Sequence, residues 1–200
     1  MKTITIEGQL RSELGKKATR QLRSEGKVPG VIYGGPEGVN FSAPEAAFQN
    51  LVYTPEFQLA EVKVGDKSYR CVLKDLQFDP VTDKLIHIDL LELVENKKVT
   101  VTLPIRFEGL AQGVKDGGRL VIKMKALKVK ALPKHLTEQI EVNVDSLELG
   151  KNIRVEDVKA ENFEILNSPR IPIASVVTTR ALRQEESGKP ATEAAATPAS

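Results

Sequence analysis

RSELGKKATRQLRSEGKVPGVIYG, residues Arg11 to Gly34, passes from a helical pattern into a short apolar strand pattern. Gly15 and Gly26 bracket a helix predicted over Lys16 to Glu25, with Gly26 suited to a left-handed C-terminal position. Leu14, Ala18 and Leu22 recur every fourth residue and form one apolar stripe. Lys16, Arg20, Arg23 and Lys27 recur at four, three and four and share another face. The two stripes lie roughly 200° apart, because a helix turns about 100° per residue. One side is predicted to pack inward while the other presents cations. Pro29-Gly30 predicts a turn or bend, and Val31 to Tyr33 a strand.

Residues 1–35 hold seven Lys or Arg against three Glu, a net +4, whereas the whole chain is +2. Positive charge is therefore concentrated at the amino end. Such an excess suits RNA, whose phosphates exchange condensed counterions for Lys and Arg. Tyr33 can stack on a base or hydrogen-bond a sugar or phosphate. The plainer readings are a solvated amphipathic helix and a core or rim aromatic.

Working outward, Thr3 to Ile6 alternates as a strand, and Ala43 to Tyr53 reads as a helix with Ser42 as N-cap and Pro44 in the first turn. Phe57 to Val64 and Ser68 to Leu76 read as strands around the hairpin signal Val64-Gly65-Asp66-Lys67, and Leu85 to Leu93 as another. Antiparallel strands with two helices imply a compact sheet or barrel. The polar run Glu95 to Lys98 marks a boundary after Val94. Beyond it Val99 to Phe107 alternates, with Pro104 implying an edge or bulge. Gln112 to Gly118 reads as a loop. Leu120 to Leu132 alternates apolar residues with lysines, slipping at Ala126-Leu127 as a bulge would. Glu138 to Val144 and Ile171 to Val177 complete the strands. The fold class is therefore mainly β with a few helices (α+β), in two blocks, residues 1–94 and 95–180. The ending from residue 181 is small, polar and Pro-containing, and predicts a disordered tail.

Charge in the second block is segregated. Residues 114–134 carry seven Lys or Arg and one acid, and residues 135–164 three against eight acids. A polarised surface can face RNA on one side and protein on the other; alternatively, basic and acidic strands pair across the sheet.

No apolar run approaches the roughly 18 residues needed to span a bilayer, and the start MKTITIEGQL has no signal-peptide apolar region. Cys71 is the only cysteine, which fits a reducing cytoplasm. No phosphate-binding loop, nucleophile elbow or metal-ligand spacing occurs. His87 and Asp89, two apart on one strand face, are the only acid–base pair of note. They can serve an RNA-modifying or hydrolytic enzyme, but only with a nucleophile or metal beside them. They can equally hydrogen-bond RNA. No cofactor, metal or small-molecule substrate is expected.

Arg11, Gly15-Lys16, Arg20, Leu22-Arg23, Gly26 and Val28 to Gly34 resemble the amino-terminal signature of the bacterial large-subunit ribosomal protein family that binds 5S ribosomal RNA. The long members of that family are known as general stress protein Ctc. Asp75-Leu76-Gln77 followed by Lys84 to Asp89 resembles the closing motif of the same domain. Gly117-Gly118, Leu132-Pro133, Ile140 to Val144, Leu147, Leu149-Gly150 and Ile153 to Val158 resemble the long form's carboxy-terminal β-domain. The resemblance covers about residues 2–178.

The resemblance implies an amino-terminal antiparallel β-barrel with helices, similar to the anticodon-binding domain of glutaminyl-tRNA synthetase. It implies binding to the 5S stem containing loop E, largely from its widened minor groove, near the central protuberance of a cytoplasmic ribosome. It implies further large-subunit RNA or protein contacts through the second domain. Carried over by position, Arg11, Lys16, Arg20 and Arg23 would hold the RNA backbone. Tyr33, Gln77, His87 and Asp89 would contact sugars, base edges or phosphates, with Lys74 a further candidate. A carboxylate such as Asp89 can accept from a base amino group or a 2′-hydroxyl. The chain departs from several members at Gln21, where an arginine is common, and at the less basic Phe78-Asp79. Both departures imply a smaller salt dependence. The second block can also act as a protein-interaction module.

Overall fold

The computed structural model describes residues 1–158 and 162–178. The tail expected from residue 181 lies outside the described residues. Six strands form a closed barrel: β1 (Thr3–Leu10), β2 (Lys27–Tyr33), β3 (Val39–Pro44), β4 (Leu59–Val64), β5 (Lys67–Phe78) and β6 (Leu85–Glu92), ordered β1-β3-β2-β6-β5-β4. Helix α1 (Lys16–Ser24) joins β1 to β2, and α2 (Glu45–Val52) joins β3 to β4. The expected barrel is present, but it is mixed. β1 runs parallel to β4 and β2 parallel to β6, and the other pairings are antiparallel.

The barrel interior is filled by Ile6, Ile32, Val62, Ile88 and Leu90 around Phe41, all fully buried. Phe48 of α2 meets Phe41 with ring centroids 6.3 Å apart, so the helix seals the core. This explains the role of Gly30. Pro29 and Gly30 make no turn; they lie within β2, opposite Ser42 and Phe41 of β3. A Cβ on Gly30 would stand 2.8 Å from the Phe41 ring and 2.7 Å from Ile88 Cγ2. The glycine is a packing requirement.

β3 was not expected. Ser42 is buried in this strand and is not an N-cap, while Pro44 occupies the N-cap position of α2 without a side-chain capping bond. Propensity favoured a longer helix, but Phe41 and Ala43 are needed in the core. Helix α1 ends one residue earlier than expected, and Gly26 takes the left-handed conformation, φ +74°. Lys27 therefore opens β2 and leaves the helical stripe. Leu14, 64% exposed, also leaves the packed stripe, and only Ala18 and Leu22 are half-buried.

After the Glu95 to Lys98 connection come β7 (Val99–Glu108), α3 (Gln112–Lys115), β8 (Arg119–Ile122), β9 (Ala126–Ala131), β10 (Ile140–Asn143), β11 (Asn152–Arg154), β12 (Phe163–Ile165) and β13 (Pro172–Val177). They form two sheets, β10-β7-β9-β12 and β11-β13-β8. No bulge occurs at Ala126-Leu127, which open β9 in regular register with Pro104 and Leu103; the pattern slips because residues 123–125 carry the chain from β8 in one sheet to β9 in the other. The expected loop at Gln112 to Gly118 contains the short α3. Pro104 lies in an interior strand, at the final pair of the β7–β9 ladder, opposite Ala126. Of the β9 lysines, Lys130 faces an acid across the ladder, Glu164, whereas β8 pairs with the acid-free β13.

Two compact units emerge by contact: Met1–Arg106 with Ala126–Ile140 and the described part of 159–167, and Phe107–Lys125 with Glu141–Val158 and the described part of 168–200. Ala111, Val144, Leu147 and Val176 form a core in the second.

Candidate nucleic-acid interface

Two irregularities in the β5–β6 ladder aim the site. Leu73 pairs with Leu90 and Asp75 with Asp89, so Lys74 is an extra residue, a β-bulge. Side chains alternate along a strand, so one extra residue exchanges its faces. Cys71 and Leu73 point into the core before the bulge, and Leu76 does so after it. Asp75 and Gln77 are thereby turned outward. On β6, Ile88 and Leu90 are fully buried, which puts His87 and Asp89 on the same outer face. Gln77 stands opposite His87, and Asp75 opposite Asp89. The parallel β2 adds Val31 beside Asp89 and Tyr33 beside Leu91.

His87 Nδ1 approaches Asp89 Oδ1 to 2.7 Å. Nδ1 is buried there without a hydrogen-bond partner of good alignment, so the contact is attractive chiefly when the ring is protonated. Burial pushes the Tyr33 phenol above its ordinary pKa, and the carboxylates of Asp89 and Asp75 add to that. Tyr33 therefore keeps its proton near neutrality and can donate to a phosphate or sugar oxygen.

Helix α1 lies against β2, and Arg23 ties it to β6. The second irregularity passes from Gln77–His87 to Phe78–Leu85, leaving Ile86 without a partner residue on β5. The Ile86 carbonyl accepts a 3.1 Å hydrogen bond from Arg23 Nε. Lys16, Lys17, Arg20 and Arg23 are exposed, and none makes an ion pair among the described residues. Lys16 and Lys17 also begin the helix, with no acid in the first turn. Cations there oppose the helix dipole, a local penalty that a bound polyanion would relieve.

The structure thus brings Tyr33, Gln77, His87 and Asp89 onto one sheet face and links Arg23 to its edge. Arg20 and Lys16 continue along the helix. Arg11 and Lys74 are engaged elsewhere. Arg11 Nη2 donates to Thr19 Oγ1 at 3.2 Å and to the Glu13 carbonyl at 3.3 Å, bracing the start of α1. Lys74 Nζ donates to the Thr100 carbonyl at 3.1 Å. The residue that sequence reasoning missed is Asp75. Its alternation with Gln77 was a usable signal, but without the bulge at Lys74 its partner across the ladder could not be assigned. No group of three or more His, Cys, Asp or Glu among the described residues could hold a metal, and no helix there is long and apolar enough to cross a membrane.

Residues 6–90 match the Ribosomal L25p family, and residues 98–180 match the C-terminal domain of ribosomal protein TL5. Large ribosomal subunit protein bL25 of Amoebophilus asiaticus is 46% identical over 183 residues, covering 92% of this chain and 93% of that protein. The bL25 of Porphyromonas gingivalis is 43% identical over 185 residues, covering 92% and 96%. That of Cytophaga hutchinsonii is 40% identical over 186 residues, covering 93% and 97%. The chain belongs to the bL25 family. Membership in a family of structural ribosomal proteins makes the chain a non-enzymatic protein, so the His87–Asp89 pair has no catalytic role.

Proposed function

We propose that this bL25 family member is a structural constituent of the large ribosomal subunit in the cytoplasm, bound to 5S ribosomal RNA. Residues 1–94 form the RNA-binding part and grip the loop E region near the central protuberance. Residues 95–180 add contacts to other large-subunit RNA and ribosomal proteins. The observation that carries the reading is the joining of two surfaces by the Arg23–Ile86 bond. One is a helix with four cations that make no ion pair among the described residues. The other is a strand face of hydrogen-bonding groups.

The division of labour is physical. Lys16, Arg20 and Arg23 neutralise phosphates, which gives affinity without sequence preference. Tyr33, Gln77, His87 and Asp89 present donors and acceptors to sugars and base edges, where RNA identity is read. Asp89 repels a bare phosphate, so it favours a register that offers an amino or hydroxyl group. Arg11 supports the clamp by bracing the helix, and Lys74 reaches RNA only by leaving Thr100.

A gel shift of the full chain with 5S RNA, challenged by an unrelated RNA, tests this. Binding is expected to survive the competitor and to weaken with salt. Neutralising three or four phosphates corresponds to a logarithmic salt slope of about −2.7 to −3.6. Unchanged 5S affinity after combined Arg20→Ala and Arg23→Ala substitution would overturn the site.

A further inference from the structure

Tyr33 is the last residue of β2, and the ladders hold it on one side only. The β2–β3 ladder stops at Ile32 and Val39, whereas the β2–β6 ladder runs on to Tyr33 and Leu91. A strand end with a single neighbour opens easily. The direction of the Tyr33 ring therefore depends on what holds the chain just beyond it.

That chain is held from two sources. The first is β6 itself. A Cβ on Gly34 would stand 2.6 Å from Leu91 Cδ1, and one on Gly35 would collide with the Glu92 carboxylate, so this stretch lies directly on the end of β6. The second is Lys97, 63 residues downstream in the Glu95 to Lys98 connection, whose Nζ donates a 3.1 Å hydrogen bond to the Gly34 carbonyl. The Lys97 amide donates to the Val94 carbonyl at 3.0 Å, closing a turn that fixes where the side chain starts. Lys97 makes no ion pair among the described residues, so no carboxylate there competes with Gly34 for its ammonium group. A little further on, the same segment meets the reading face again. The Thr100 carbonyl accepts from Lys74, the bulge residue that turns Asp75 and Gln77 outward. The barrel and residues 97–100 belong to one compact unit.

We infer that Lys97 is a positioning residue for RNA recognition. Its bond to Gly34 fixes the end of β2 and, with it, the bearing of the Tyr33 ring. Its ammonium group is engaged by the protein and contacts no phosphate. The inference rests on the proposed RNA site, of which Tyr33 is a part, and makes recognition by the barrel depend on a residue outside it.

The test compares two variants of the full chain: Lys97→Met, which keeps the stem and removes the donor, and Lys97→Arg, which keeps a donor. In the free ¹⁵N-labelled protein, Lys97→Met should shift the amide resonances of Tyr33, Gly34 and Gly35 and leave those of Arg20 and Arg23 in place. Lys97→Met should weaken 5S RNA binding roughly two- to tenfold, the worth of one hydrogen bond, with an unchanged salt slope. Lys97→Arg should bind nearly as the unaltered chain does. Beside Tyr33→Ala, Lys97→Met should have no further effect, because the two residues act as a unit. Unmoved resonances at Tyr33 to Gly35 would overturn the inference. So would a salt slope shallower by about 1, the mark of a lost phosphate contact, or a loss that persists in full beside Tyr33→Ala. Those failures leave the RNA site standing. Tyr33→Ala binding 5S RNA as tightly as the unaltered chain would instead remove Tyr33 from the site, and this inference with it.

Discussion

Asp75 and Asp89 are register partners across the β5–β6 ladder, two acids on the outer face of the barrel. Like charges at such positions oppose pairing. They persist beside Tyr33, whose phenol they help to keep protonated. Asp75→Asn is expected to stabilise the free protein by about 0.2–1 kcal/mol in urea unfolding. It should also move the Tyr33 titration down toward the ordinary phenol range, as followed by ultraviolet absorbance. An unmoved titration would refute the proximity of the two groups.

Alkaline pH offers an independent readout. Tyr33 and Cys71 both have folded-state pKa values above their ordinary ones, and burial is the first cause for each; the thiol is pushed up to about 12. Each group resists ionisation in the folded state. The stability this reflects is intact below the ordinary values of 9.0 for the thiol and 10.0 for the phenol. It is lost as pH rises through the folded-state values. Urea midpoints should therefore decline above about pH 9. At pH 8 a disulfide reagent should label Cys71 only after unfolding.

Gly30→Ala separates a packing glycine from a turn glycine. Its Cβ would press on the Phe41 ring and Ile88, at an expected cost of about 1–3 kcal/mol in chemical denaturation. Gly26→Ala meets open space, and its cost of about 1–2 kcal/mol comes from the left-handed backbone alone. Phe41→Leu, which makes room, should soften the first penalty and leave the second unchanged.

Arg23→Lys keeps the charge and removes the Nε donor to Ile86. Salt dependence of 5S RNA binding should stay nearly constant while affinity falls by about 1–3 kcal/mol, because the helix loses its fixed position on β6. Equal affinity for Lys and Arg at this position would mean that only the charge matters.

Arg11→Ala should loosen the start of α1 through loss of the bonds to Thr19 and Glu13, at about 0.5–1.5 kcal/mol for each. Amide hydrogen exchange at Lys17 to Arg20 is the direct measure. Protection unchanged there would return Arg11 to the role of a free phosphate ligand.

The sequence showed most clearly where local chemistry and packing agree. The Val64 to Lys67 hairpin, the α1 helix and the alternation of Ile88 and Leu90 are of this kind, as is the pairing of His87 with Asp89 on one face. It was obscure where a distant contact overrules a local preference. Pro29-Gly30 has turn chemistry, but Phe41 needs the space. Ser42 and Pro44 look like a helix start, but β3 must pass between β1 and β2. Lys74 reads as another exposed lysine in a strand, and only the ladder shows that it is the extra residue that turns Asp75 and Gln77 outward. The parallel closures β1–β4 and β2–β6 are also invisible to alternation, which is the same in either direction.

β6 is the last barrel strand to be synthesised, yet it lies between β2 and β5, and the carbonyl that holds Arg23 is 63 residues downstream. At about 5–20 residues per second, the basic helix is made some 3–13 s before the strand against which it is fixed. During that interval the nascent chain has the cations of the proposed RNA site but lacks the face proposed to distinguish among RNAs. On the proposed site, selectivity would arrive in a single late event, when insertion of β6 closes the barrel and brings His87 and Asp89 beside Tyr33 and Gln77.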